Sequence, residues 1–200
     1  MKKLFVISSL LLLAACSSNA PVTQTQTSVN YNPENQARVR LYGQNGHPTV
    51  AWYGIDCDSE RLRRGIKINV GGGGVGQAFS SFIGTVKSES IGIPETEISR
   101  NVGQQNGMLS KAFFQEITVP AGLPMNVQSS IIGHRNQAGN VVSYSGGCNS
   151  KIGSFVPQAG HDYEVVGAKG ACGIVAFEIA QDGNITPVEL NARAICSKRR

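Results

Sequence analysis

The sequence predicts a mainly β protein: a single antiparallel β-sandwich with long loops and one short helix, placed behind an export signal and a tether. Three observations carry this. The 200 residues give room for one domain of roughly 150 residues and short appendages. Glycine takes 24 positions, about 12% against a usual ~7%, which favours tight turns over long helices. Short apolar runs of period two, divided by Gly, Pro, Asn and Asp, recur through the second half. With 40% hydrophobic and 16% charged residues, the composition excludes a disordered chain, and its broken apolar runs exclude a multispanning membrane protein.

The N-terminus reads as an export signal over residues 1–15. Lys2 and Lys3 precede an apolar run from Leu4 to Ala15. Twelve residues span about 18 Å as a helix, short of the ~30 Å hydrocarbon core. The tetrapeptide Leu13-Ala14-Ala15-Cys16 resembles a bacterial lipobox. The resemblance implies a diacylglyceryl group on the Cys16 thiol, cleavage before Cys16 and acylation of the new amino group. Two or three acyl chains hold a protein in a bilayer nearly permanently, because each buried methylene adds roughly 0.8 kcal/mol. In Gram-negative lipoproteins a residue other than Asp after the cysteine directs the protein to the outer membrane, and here Ser17 follows.

Residues 16–36 read as the lipidated cysteine and a flexible tether, since Ser, Thr, Gln, Asn and Pro dominate and bury too little to offset ordering entropy. The folded domain is expected over 37–200. Val39 and Leu41 alternate with Arg38 and Arg40, and Thr49 to Ile55 is β-branched and aromatic, with Gly43-Gln44-Asn45-Gly46 between them, so a first hairpin is expected. Ile66, Ile68 and Val70 alternate with Lys67 and Asn69 as a half-buried strand. The glycines from Gly71 to Gly76 lack the Lys-Ser or Lys-Thr of a phosphate loop and read as a connection. Gln77 to Lys87 has the three-and-four spacing of a short helix, weakened by Gly84. Ile91 to Gly107 reads as a long surface loop and the first place to seek a partner site. Seven strands then follow: Phe113–Val119, Met125–Gly133, Val141–Tyr144, Ser154–Val156, His161–Val166, Ile174–Ile179 and Ile185–Leu190. Asp182-Gly183 marks a hairpin between the last two. Val119-Pro120-Ala121-Gly122 and Pro157-Gln158-Ala159-Gly160 echo each other as turns that launch strands.

Apart from Cys16 the cysteines number four, an even set in an exported chain, so two disulfides are expected. Four cysteines allow three pairings. Cys148 and Cys172 flank one strand-turn-strand block and Cys57 and Cys196 lie near opposite ends of the domain, which favours Cys148 with Cys172 and Cys57 with Cys196. No pair has the spacing of a zinc knuckle, and no metal or other cofactor is expected. The precursor carries a net +5. Without Lys2 and Lys3, sixteen basic side chains face thirteen acidic ones, a balance of +3. Arg61, Arg63 and Arg64, with Lys67, form one basic patch and Lys198, Arg199 and Arg200 another. Both are candidate contacts for phosphate groups of lipid or lipopolysaccharide. Basic residues are not interleaved with aromatics, so nucleic acid is not an expected partner.

Ser110-Lys111-Ala112-Phe113-Phe114, Val119-Pro120-Ala121-Gly122, Cys148, Phe155, Ala159-Gly160-His161-Asp162-Tyr163-Glu164-Val165 and Cys172 together resemble a group of small outer-membrane-type lipoproteins of Gram-negative bacteria. The likeness spans about half the chain. It implies the sandwich and the Cys148–Cys172 pairing and brings no activity and no catalytic residue.

His47, His134 and His161 are the candidate general bases, with Asp56, Asp58, Asp162 and Asp182 as candidate orienting carboxylates. No Gly-x-Ser-x-Gly elbow or His-Glu-x-x-His motif organises them. His161 and Asp162 read as turn and cap groups, and Trp52 with Tyr53 as one core and one surface ring. Asp56, Asp58 and Glu60 lack the glycine and further oxygens of a calcium loop. The expected function is a non-enzymatic, membrane-anchored envelope module that contacts another envelope protein or a glycan. The alternative is an envelope enzyme or enzyme inhibitor whose site is not visible in sequence.

Overall fold

Residues 31–72, 88–105, 111–138, 141–168 and 172–197 are described by a computed structural model. Its elements run β1 (Gln36–Gln44), β2 (Thr49–Tyr53), β3 (Ile66–Val70), helix α1 (Glu97–Arg100), a 3-10 turn (Val102–Gln105), β4 (Ala112–Pro120), β5 (Met125–Ile131), β6 (His134–Ala138), β7 (Val141–Ser145), β8 (Cys148–Asn149), β9 (Gly153–Phe155), β10 (Asp162–Gly167), β11 (Ile174–Ile179), β12 (Ile185–Val188) and β13 (Asn191–Ala192). One sheet has the order β12-β11-β10-β1-β4 and the other β13-β9-β5-β2-β3, with β8 on β5; β6 and β7 form a separate ribbon. All seven strands expected in the second half are present. The possible helix at Gln77 to Lys87 lies outside the described residues, as do Cys16, most of the Gly71–Gly76 run and Lys198, Arg199 and Arg200.

Alternation along the strands builds the core. Ala37, Val39 and Leu41 of β1 and Tyr163 and Val165 of β10 point inward, against Ala51 of β2, Val70 of β3, Met125 and Val127 of β5 and Phe155 of β9. The Phe155 and Tyr163 rings meet across the interface with centroids 5.3 Å apart. Burial of these apolar side chains is the main driving term for closing the two sheets.

Two features depart from expectation. The β1–β10 ladder is parallel, with Arg38 opposite Asp162 and Leu41 opposite Val165, so the sandwich is not wholly antiparallel. β1 and β2 also do not form a hairpin. The turn exists, since Gln44 and His47 exchange backbone hydrogen bonds. Both edges of β1 are taken, however, by β4 and β10, and β2 pairs instead with β3 and β5 in the facing sheet. Residue alternation fits either arrangement, and the charges decide it. Arg38 and Arg40 project from the outer face of β1, and the carboxylates that match them stand on β4 and β10.

The β11–β12 hairpin turns where Asp182-Gly183 places it. Gly183 N–H donates to Ala180 O and Ala180 N–H to Asn184 O, with Gly183 at φ 82°, a three-residue turn ending in a glycine bulge. The Pro33–Asn35 turn and Tyr31, from the end of the stretch read as tether, pack on the domain: Gln36 N–H donates to Asn32 O, and the Arg38 guanidinium lies 4.8 Å from the Tyr31 ring centroid.

Candidate functional site

Two constellations of charged residues stand out, one sealed and one accessible. The sealed one lies on the outer face of the first sheet. Cross-strand register sets Glu116, Arg40 and Glu164 in a row across β4, β1 and β10. Arg40 is 1% exposed and Glu164 0%. Arg40 meets Glu116 at 2.7 Å and Glu164 at 3.5 Å, and its guanidinium also donates to Ile93 O and Pro94 O, each at 3.0 Å. Glu116 accepts in turn from the backbone N–H groups of Ile91 and Ile93 and from Ser90 Oγ. Tyr42 and Thr96 hydroxyls donate to Glu164 Oε2, both at 2.9 Å. Burial, then the charge of Glu164, pushes the Tyr42 phenol above its ordinary range.

The roof over this row is the segment read from sequence as a free loop. Residues 88–105 strap the sheet, with the Ser90 and Thr96 hydroxyls and the Ile91, Ile93 and Pro94 backbone engaged inward. The strap carries α1, which sequence did not show: Thr96 Oγ1 accepts from Ser99 N–H while Ser99 Oγ accepts from Thr96 N–H, a reciprocal cap. Beside it, Arg38 holds Asp162 through two hydrogen bonds of 2.7 Å. Asp162 is thus a buried ion-pair partner and not a turn group. Burial alone would lower the Arg38 pKa, but the Asp162 hydrogen bonds and charge outweigh it and the net shift is upward.

The accessible constellation is a cleft of about 780 Å³ where β2 ends and β5 begins. Alternation along β2 sends Tyr53 toward the core and Trp52 outward, onto the cleft. Lys67, opposite Trp52 on β3, places its ammonium 5.7 Å from the indole centroid. After β2 the chain passes Gly54 and Ile55, whose N–H donates to Pro124 O, and loops through residues 56–65 before β3. The opposite wall is the C-terminal segment. The Cys57–Cys196 disulfide holds it, with Cα atoms 5.2 Å apart. Asn126 of β5 donates to Ala194 O at 3.0 Å and accepts from Ala194 N–H at 2.9 Å. Arg63 ties the same walls together by donating to Cys57 O at 2.8 Å and to Ser197 O.

Arg63, Arg64 and Arg193 line this cleft, and Glu60 is the carboxylate among its lining residues. Arg63 is committed to backbone carbonyls. No hydrogen bond or ion pair to another described residue engages Arg64 or Arg193. Two such guanidinium groups lining one cleft with Trp52 suit a phosphate or carboxylate carried on a partly apolar body.

Of the patch singled out in sequence, Arg63 and Arg64 are in the cleft, and exposed Arg61 is not among its lining residues. Sequence reasoning missed Arg193, Trp52 and Asn126. The signal for Arg193 was present, because pairing Cys57 with Cys196 carries a residue three before Cys196 to the loop that holds Arg63 and Arg64. Both expected disulfides form, the second between Cys148 and Cys172 with Cα atoms 5.9 Å apart.

The histidines are dispersed. His161 Nδ1 contacts Glu178 Oε1 at 2.8 Å, and its ring stacks on Tyr163. His134 lies in β6. His47 borders a smaller cavity of about 270 Å³ with Ser129, but that lining contains no carboxylate and Ser129 Oγ donates to Gly173 O at 2.6 Å. Among the described residues, no group of three or more His, Cys, Asp or Glu side chains is placed to hold a metal ion. Asp56 accepts from the Asp58 N–H at 2.9 Å, a local turn. Compared with protein-family models, curated proteins and solved structures, the chain matches none.

Proposed function

We propose that this chain is a non-enzymatic binding module of the bacterial outer membrane, anchored through lipid on Cys16, whose arginine-lined cleft receives an anionic group of an envelope component. The observation that carries the binding reading is the pair Arg64 and Arg193, which line a cleft of about 780 Å³ together with Trp52 and have no hydrogen-bond or ion-pair partner among the described residues. The anchor rests on Lys2, Lys3 and the Leu13-Ala14-Ala15-Cys16 tetrapeptide. Pairing of all four remaining cysteines supports an oxidising compartment.

Two measurements test the two halves separately. Metabolic labelling with an alkynyl fatty acid, followed by membrane fractionation, is expected to mark the wild-type protein in the outer membrane and leave Cys16→Ala unmarked. An unmarked wild-type product overturns the anchor. Full-length lipidated protein in detergent is expected to bind phosphocellulose, with the retention lost in Arg64→Gln/Arg193→Gln. Equal retention of the variant overturns the assignment of the cleft.

A further inference from the structure

The N-terminal segment joins the domain at the pole where the cleft is built. Ala121 N–H donates to Asn35 O at 3.0 Å and Gly160 N–H to Gln36 O at 2.9 Å, so the chain enters β1 between the two echoing turns. These turns also hold each other, Gly122 N–H donating to Pro157 O at 2.9 Å. The first runs on to Pro124, whose carbonyl accepts from Ile55 N–H in the cleft, and a Cβ at Gly54 would lie 3.4 Å from Pro120 Cγ. One turn, residues 120–124, therefore touches both the incoming chain and the cleft.

Only fourteen residues separate Cys16 from Tyr31. Fully extended they reach no more than about 50 Å, and as a coil about 20 Å. A domain held so short of a lipid on Cys16, and held by this pole, keeps the cleft close to the headgroups. The chemistry of the cleft suits that neighbourhood. Arg64 and Arg193 provide charge for phosphates. Trp52 is a ring type enriched at bilayer interfaces. Ile195, also lining the cleft, is 75% exposed, an apolar side chain offered beside the cations.

We infer that the cleft docks the domain onto the phosphate-bearing headgroups of the membrane in which Cys16 is anchored. This rests on the anchored-module reading above and names the ligand of the same site. The anchor makes the contact intramolecular in effect, so a site of modest intrinsic affinity is occupied. The docked state holds this pole of the domain at the bilayer surface with the β4–β5 turn facing the lipid.

Trp52 is the only tryptophan of the chain, so its emission reports on the cleft directly. The full-length lipidated protein is reconstituted in nanodiscs of phosphatidylcholine, or of phosphatidylcholine with phosphatidylglycerol, including brominated acyl chains as quencher. The expected result is a blue shift and at least a two-fold gain in quenching on adding phosphatidylglycerol. Both changes are expected to reverse in high salt, and both to vanish in Arg64→Gln/Arg193→Gln. Emission that ignores lipid charge in the wild type overturns the inference. So does an arginine-dependent shift with sodium phosphate in detergent that has no counterpart in phosphatidylglycerol discs, which would make free phosphate the ligand. The salt response of the wild type decides the matter even if the double variant folds poorly. Because fatty-acid labelling and phosphocellulose retention are read independently, loss of the anchor or of anion binding is distinguishable from failure of membrane docking.

Discussion

The Asn126 carboxamide exchanges two hydrogen bonds with the backbone of Ala194, doing for the C-terminal segment what a neighbouring strand would do. Asn126 is 3% exposed, so its side of the exchange is shielded from water. Asn126→Ala leaves both Ala194 groups without this partner and is expected to destabilise the fold by about 1–3 kcal/mol. Asn126→Asp keeps an acceptor for the Ala194 N–H but loses the donor to its carbonyl. Urea unfolding of the three proteins, with Trp52 emission as the probe, checks the order wild type, then the two variants.

Among the described residues, Arg40 is the one cation between two buried carboxylates, Glu116 and Glu164. Arg40→Met removes the charge that compensates them and is expected to cost about 3–5 kcal/mol. Adding Glu164→Gln should recover part of that loss, since it deletes one uncompensated charge while keeping an acceptor oxygen for Tyr42 and Thr96. A double-mutant cycle by denaturant titration measures the coupling. Additive losses would show that Glu164 does not sense Arg40.

The two disulfides constrain very different spans, 139 and 24 residues. Loop-closure entropy alone gives the longer one about 5 kcal/mol and the shorter about 3.5 kcal/mol. Cys57→Ser/Cys196→Ser is therefore expected to lower the unfolding midpoint more than Cys148→Ser/Cys172→Ser. It should also weaken phosphocellulose retention, because Cys196 holds the wall that carries Arg193. Paired denaturation and retention measurements check both outcomes.

Tyr42 has its phenol pKa raised by burial and by Glu164. In the unfolded chain the phenol loses its proton near the ordinary value of about 10, while the folded chain still holds it. The unfolded state then binds fewer protons, and stability falls as pH rises above that point, by at most about 1.4 kcal/mol per unit for this group. Below it the contribution is fully present. Tyr42→Phe should flatten the alkaline decline measured between pH 9 and 11 relative to wild type. Burial raises Tyr31 and Tyr163 as well, so part of the decline remains in the variant.

Local signals carried much of the architecture. Asp182-Gly183 announced its own turn, period-two runs announced the strands of the second half, and cysteine positions favoured the pairing that forms. What local signals did not carry is partner choice. Val39 and Leu41 show that β1 has a buried face, but nothing nearby in sequence says that its neighbours are β4 and the parallel β10. The strap was hidden for a related reason: Ile91, Ile93 and Thr96 look like loop residues until Glu116 and Glu164, distant in sequence, supply their acceptors. The cleft was half legible. Arg63 and Arg64 stand together in the chain, whereas Arg193 reaches them on a segment held by a disulfide whose cysteines are 139 residues apart in sequence.

Arg38 and Asp162 face each other across 124 residues of sequence. A polypeptide that emerges N-terminus first, from a ribosome or through a translocation pore, presents β1, an inner strand of its first sheet, long before β10, one of that strand's two neighbours, exists. A bare strand flank is a template for wrong associations. Completion therefore belongs to the last third of the chain, and a product truncated before Asp162 would carry an unfinished centre that no amount of time could mend.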